Sequence, residues 1–358
     1  MKHLGPVAIL LVAAAVVAAA FLVFWLPGRL DPWRLPASDW RLFKKRFLSS
    51  EGRIVDTGNG GISHSEGQGY GMLLAEAFND RRAFDKIWSW TRANLQTRPD
   101  DRLLSWSWKP EGSSGQVNDP NNASDGEILV AWALTRAAAR WNDYSYQQAA
   151  AGLLVELRRL AVHESGDARF LLPGATGFVD KDTLVLNPSY YVFPALRQFG
   201  ADFPAAGWKN LHADGLELVG SARFSKWNLT PDWVAFSQTY SLDTPFPPVF
   251  GYNAVRVPLH VAWDNPKSPL LAPFAAFWKE FPDPKKIPAT VDLKSDTFGP
   301  DPSLPGMQAI ARFVLACHAG ERVNVRDIPP VNPEEPYYSA SLKLLTKVAI
   351  REALGGKK

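Results

Sequence analysis

Two short stretches combine a carboxylate with the start of a helix. Ser65-Glu66-Gly67-Gln68 has the spacing of a capping box, with Ser65 as N-cap and Gln68 folding back, ahead of Tyr70, Leu73, Leu74 and Ala77. Ser124-Asp125-Gly126-Glu127 repeats the pattern ahead of Ile128, Leu129 and Trp132. Glu66 and Asp125 are therefore expected at the first helical position of two helices, where a carboxylate also serves to offset the helix dipole. Paired carboxyl groups have a second use: one can protonate the leaving oxygen of a glycosidic bond while a base activates water. The surroundings favour that chemistry. Gly58, Gly60, Gly61, Gly67, Gly69 and Gly71 crowd the start of the first helix and allow close approach, while Trp106 and Trp108 precede the second and offer flat faces to sugar rings. Carbohydrate is the substrate class to which these residues point.

Other chemistries lack their residues. The glycine-rich stretch has no Gly-Lys-Ser/Thr ending, so it does not read as a phosphate loop, and no Gly-x-Ser-x-Gly elbow occurs. The six histidines form no His-x-x-x-His pair and the single cysteine, Cys317, has no internal partner, so neither a metal, a cofactor nor a disulfide is expected. His64, two residues before Glu66, reads as a hydrogen-bonded loop residue rather than a proton shuttle. A formal net charge of +3 without a Lys/Arg block argues against a nucleic-acid partner.

The 358 residues, 46% of them hydrophobic, can bury one large core or two ordinary ones. Apolar positions recur at helical spacing in Phe84, Ile87, Trp88, Thr91 and Leu95, in Ala150, Leu153, Leu154 and Leu157, in Ala309, Ile310, Phe313 and Val314, and in Leu342, Leu345 and Ala349. Leu35 to Leu48 reads as a first helix, and Leu270 to Phe281 as a short one inside the proline-rich stretch from Pro266 to Pro305. No alternating run is long enough to predict a sheet, so the expectation is an all-α domain over 37–358 with helices from end to end, arranged as a barrel of helical hairpins. Ahead of it, Val7 to Leu26 is uncharged and long enough to span a bilayer as a helix. Residues 1–27 read as a membrane anchor, with a cleaved signal peptide as the rival, and 28–36 as a linker; in either case the remainder is exported.

In series, Ser65-Glu66-Gly67-Gln68-Gly69-Tyr70-Gly71-Met72, Asn122-Ala123-Ser124-Asp125-Gly126-Glu127, Asn187-Pro188-Ser189-Tyr190 and Pro231-Asp232-Trp233-Val234 resemble glycoside hydrolase family 8. The resemblance runs from about residue 37 to 350 and is nearest to the cellulases associated with bacterial cellulose synthesis. It implies an (α/α)6 barrel with a cleft for β-1,4-linked glucan, cleavage with inversion, a place on the periplasmic side of the inner membrane, and association with a cellulose synthase complex. Xylan and chitosan stay open as alternative substrates. By the family pattern Glu66 is the general acid and Asp125 holds the sugar. Gln68, Tyr70, Trp106, Tyr190, Tyr252 and Arg256 are candidates for substrate binding. A helix N-terminus favours ionised Glu66, so burial under substrate and the charge of Asp125 are expected to raise its pKa. In Gly251-Tyr252-Asn253-Ala254-Val255-Arg256, Asn253 stands where typical family members carry the basic Asp. An amide can orient water but is no practical base. Asp119, Asp232 and Asp243 are the candidate substitutes, and a catalytically weak glucan-binding protein is the alternative.

Overall fold

The computed structural model describes residues 31–112 and 114–356. Eleven α-helices are present among them: α1 Ala37–Phe47, α2 Ser65–Ala77, α3 Arg81–Asn94, α4 Ser124–Trp141, α5 Tyr144–Ala161, α6 Phe193–Asp202, α7 Trp208–Ser221, α8 Arg256–Asp264, α9 Ala272–Lys279, α10 Pro305–Ala319 and α11 Tyr337–Leu354. Six of them are buried on most of their circumference. In chain order α2, α4, α6, α8 and α10 neighbour one another, and α11 packs on α10 and closes the ring onto α2. The other five lie outside, α1 against α11, α3 against α2, α5 against α4, α7 against α6 and α9 against α10. This arrangement fits an (α/α)6 barrel.

The outer helices show why the sequence places them there. On α3 the buried residues Phe84, Ile87, Trp88 and Thr91 form one apolar stripe, and the Asp80 carboxylate caps the helix by accepting from the Ala83 N–H. Inner helices read differently, because a helix surrounded by others is apolar nearly all round. On α2 every residue from Gly67 to Ala77 is buried, and small residues let the neighbours approach. A Cβ at Gly69 would stand 2.5 Å from the Leu129 Cβ on α4. Gly69→Ala is therefore expected to destabilise the fold by about 1–3 kcal/mol through overpacking, read as a lower urea midpoint at unchanged slope.

The expectation of helices without sheets needs correction. Twelve strands of two to six residues are present among the described residues, in four small antiparallel sheets on the connections between helices. Strands this short carry too few residues for an alternating pattern to show. One sheet matters for the site: β1 (Ser63–His64) pairs with β2 (Ser107–Glu111), which pairs with β3 (Ser114–Asp119). No helix among the described residues is long and apolar enough to cross a membrane. The stretch 7–26 lies outside the described residues.

Candidate active site

Both acidic motifs start helices, but with other capping than a capping box. His64, not Ser65, is the N-cap of α2, and its Nδ1 accepts the Gly67 N–H at 3.0 Å. Ala123 precedes α4 without a side-chain cap, and the Ser124 hydroxyl donates to the Leu172 carbonyl at 2.6 Å. The reason is the chain's entry direction. β1 runs straight into α2, and the Ser65 N–H is already bound to the Trp106 carbonyl. Glu66 and Asp125 thus sit at the second helical position, one residue later than the spacing suggests. Gln68 is fully buried, with Oε1 accepting from the Ile54 N–H at 2.6 Å and Nε2 donating to Thr91 at 2.7 Å. It ties the segment before β1 to α2 and α3, out of reach of a ligand, which corrects the expectation that it binds substrate.

The two carboxylates meet on one guanidinium. Arg256, at the start of α8, is buried and places Nη1 3.0 Å from Glu66 Oε2 and 3.4 Å from Asp125 Oδ2. The same nitrogen donates to the Tyr70 hydroxyl at 3.1 Å, and Nη2 donates to Ser189 at 2.9 Å and to Asn253 Oδ1 at 2.8 Å. A guanidinium suits this role because its planar fork stays charged when buried. Tyr70 is buried behind Glu66, so it touches the acid rather than a sugar. Tyr190 ends a turn, Pro188–Tyr190, capped by Asn187, near Asp125 and Arg256, with its ring 6.3 Å from that of Trp233. Tyr252 is exposed and meets Tyr338 edge-on, and Trp106 is half-buried on the segment leading into β2.

Beside this cluster opens a cavity of about 430 Å³ lined by Asp56, His64, Glu66, Tyr252, Asn253 and Arg256, with Tyr338 and Pro336 from α11 and its approach. Glu66 keeps 19% of its side chain exposed toward it, Asp125 2%. The charges around them pull the two acids apart. Burial would raise the Glu66 pKa, but Arg256, His64 and the Tyr70 hydroxyl outweigh it and hold Glu66 below the usual glutamate value. Asp125 is pushed up to about 7 by burial and by the Glu66 charge, against the pull of Arg256. Of this pair Asp125 therefore binds a proton the more readily. The raised pKa expected of Glu66 under substrate is thus not its state in the ligand-free protein, where Arg256 is the largest charge acting on it. Burial also opposes charge on His64, yet Asp56, Glu66 and Asp125 raise its pKa overall.

The substitutes for Asn253 are scattered. Asp243 is 83% exposed and pairs with Lys294 on the surface. Asp119 ends β3 and accepts from the Asn121 N–H. Asp232 is buried and clamps the loop before α8, with Oδ1 accepting from Gly251 and Ala254 and Oδ2 3.5 Å from the Asn253 amide nitrogen. Residues that the sequence reading passed over complete the cluster: Ser189, Tyr338 and Asp56. The family motif already held Ser189, whereas Tyr338 and Asp56 carry no signal in spacing. Among the described residues no group of three or more His, Cys, Asp or Glu side chains stands close enough to hold a metal ion.

Glu127, in the same turn as Asp125, is fully buried and accepts from the Leu104 N–H and the Asn122 amide. Burial still pushes its pKa up to about 8. From the ordinary glutamate range up to that value the native state holds a proton the unfolded chain has lost, so stability falls as pH rises through the window. Glu127→Gln removes this loss. The stability difference between variant and wild type is expected to shift in the variant's favour by on the order of 1 kcal/mol per pH unit between about pH 5 and 8, read from urea midpoints. A difference independent of pH would mean that the native protein holds Glu127 ionised.

The sequence model of the family Glycosyl hydrolases family 8 matches residues 13–352. The endoglucanase of Cellulomonas uda is 36% identical over 85% of this chain and 82% of its own. Among solved structures, the family 8 endoglucanase Cel10 of Klebsiella pneumoniae superposes with a TM-score of 0.82 at 37% identity, covering 88% of this chain and 99% of that one. The endo-β-1,4-glucanase CMCax of Acetobacter xylinum gives 0.80 at 39% identity, covering 90% and 99%. With its two acids on neighbouring inner helices and a family match over nearly its whole length, the chain belongs to glycosyl hydrolase family 8.

Proposed function

We propose that this protein hydrolyses internal β-1,4-glucosidic bonds of a cellulose-like glucan with inversion of the anomeric carbon. The observation that carries the reading is the meeting of Glu66 and Asp125 on the Arg256 guanidinium at the edge of an open cavity. Glu66, the more exposed acid, protonates the glycosidic oxygen; Asp125 and Tyr190 hold the sugar ring beside it. The acid step needs the proton on Glu66, and the sugar supplies the reason for its transfer. Hydroxyls donating to Asp125 stabilise its ionised form, and the proton it holds in the free protein passes to Glu66. Relatives named as endoglucanases support the substrate class. The missing carboxylate at Asn253 supports a second reading, a glucan-binding protein with weak turnover.

Incubation of the protein from Pro27 onward with cellohexaose, xylohexaose and a chitosan hexamer tests both readings. Internal cutting of cellohexaose, with the α-anomer appearing first by proton NMR, is the result expected. Binding of cellohexaose without cutting would favour the second reading, and cutting of another glycan alone would replace the substrate. We further propose that the protein works on the periplasmic side of the inner membrane, held by residues 7–26 or released by signal cleavage, beside a cellulose synthase complex. The uncharged run 7–26 supports the first part, and the resemblance to synthesis-associated cellulases supports the second. The mass of the mature protein distinguishes anchor from signal.

A further inference from the structure

We propose that Asp56 is the general base of the reaction, in the role that Asn253 cannot fill. The inference rests on the hydrolase reading above. An inverting cleavage needs a carboxylate that reaches a water inside the cavity. Of the candidates that the sequence offers, Asp243 pairs with Lys294 on the surface, Asp119 closes a local turn at the end of β3, and Asp232 is turned to the backbone of the loop behind Asn253, and none of the three lines the cavity. Among the described residues the carboxylates lining the cavity are Glu66 and Asp56.

Asp56 is built to hold still. Its backbone N–H donates to the Ile62 carbonyl and its carbonyl accepts from Gly61, which closes a tight loop with Gly60 and Gly61 in the left-handed region at φ 62° and 72°. Side-chain Oδ1 accepts from the Gly58 N–H at 2.9 Å, a local turn that fixes the carboxylate. Oδ2 faces His64 Nε2 at 3.5 Å, too long to occupy the oxygen fully, and so has a lone pair left for water. His64 is itself pinned by accepting the Gly67 N–H, which puts its ring proton on Nε2, toward Asp56. Asn253, with Oδ1 on Arg256 and Nδ2 toward Asp232, lines the same cavity and orients the water rather than deprotonating it. In the step, the water oxygen bonds to the anomeric carbon as the bond to the leaving oxygen breaks. Glu66 gives its proton to that oxygen and Asp56 takes one proton from the water.

The test compares wild type, Asp56→Asn, Asp56→Ala, Asn253→Asp and the double variant Asp56→Ala/Asn253→Asp on cellohexaose. Asp56→Asn keeps the acceptor for Gly58 and is expected to lose about 10²- to 10⁴-fold in kcat, with oligosaccharide binding retained by calorimetry. Asp56→Ala is expected to regain turnover with sodium azide and to release the α-glycosyl azide. The double variant is expected to cut as fast as Asn253→Asp alone, because the carboxylate at 253 replaces the one removed. A merely structural Asp56 gives neither the azide product nor that rescue. If wild type cuts cellohexaose and Asp56→Asn cuts it within a few-fold, the assignment falls while the hydrolase reading stands. If wild type and Asn253→Asp both fail to cut, the hydrolase reading falls and the assignment with it.

Discussion

Glu66→Gln is expected to lower kcat on cellohexaose by about 10²- to 10⁴-fold, the range typical of a lost general acid. The amide can still accept from Arg256 through its oxygen, so the cluster and the glucan-binding surface should survive. Loss of turnover without loss of binding is therefore the expected pattern. A substrate whose leaving group needs no proton separates an acid from a residue that merely holds the site together. On a dinitrophenyl cello-oligoside the variant should keep most of the wild-type rate, because a nitrophenolate departs unaided. Equal losses on both substrates would remove Glu66 from the acid role.

Removing Arg256 should have the largest effect on stability. Its guanidinium contacts Glu66, Asp125, Tyr70, Ser189 and Asn253, and it is buried. Arg256→Leu leaves the Glu66 carboxylate without its cation in a poorly solvated place beside Asp125, a change that costs about 3–5 kcal/mol for buried pairs. The pH dependence identifies the cause. In wild type the depressed pKa of Glu66 contributes stability that is present above the ordinary glutamate range and is lost as pH falls through the depressed value. The variant lacks that contribution, so the gap in unfolding free energy between the two proteins should narrow on acidification. A gap of equal size at neutral and acid pH would point to lost packing instead. Arg256→Lys is no conservative test, since an ammonium cannot serve five partners with a planar fork.

What could be read in the residues divides by range. Helical stripes such as Phe84, Ile87, Trp88 and Thr91 are local and repeat often enough to be read, and each lies on a helix. The short helix within Leu270 to Phe281 is also present, as a turn at Pro269–Leu271 followed by α9. Strands of two residues leave no such trace. The capping boxes misled because the motif fixes only spacing. Whether Ser65 caps α2 depends on the residue before it, and His64 arrives from β1 with its ring already over the first turn. Gln68 likewise looked like a local cap and serves a partner fourteen residues away in the chain. Arg256 gains its meaning from distant groups, 190 residues from Glu66 in sequence but one hydrogen-bond length in space. Asp56 could not be found from spacing at all, because a glycine-rich loop predicts close approach but not which side chain faces the cavity.

The small sheet of β1, β2 and β3 gives the site a mechanical character. β1 leads into α2, and β3 leads through four residues into α4, so one sheet mounts both acids; Gly126 lies directly against Ser65 with no room for a side chain. Glu66 and Asp125 thus ride on one rigid plate. Arg256 and Asn253 ride on another, the turn that Asp232 clamps at the head of α8. Sliding of one plate against the other by about 2 Å changes the attraction between the guanidinium and a carboxylate by roughly 2 kcal/mol at an effective dielectric constant near 20, more than one pH unit of proton affinity. Any ligand that moved the plates apart by that distance would loosen the grip of Arg256 on Glu66 and raise the proton affinity of the acid. The spacing of the two plates therefore sets the acidity of Glu66 as directly as any residue beside it.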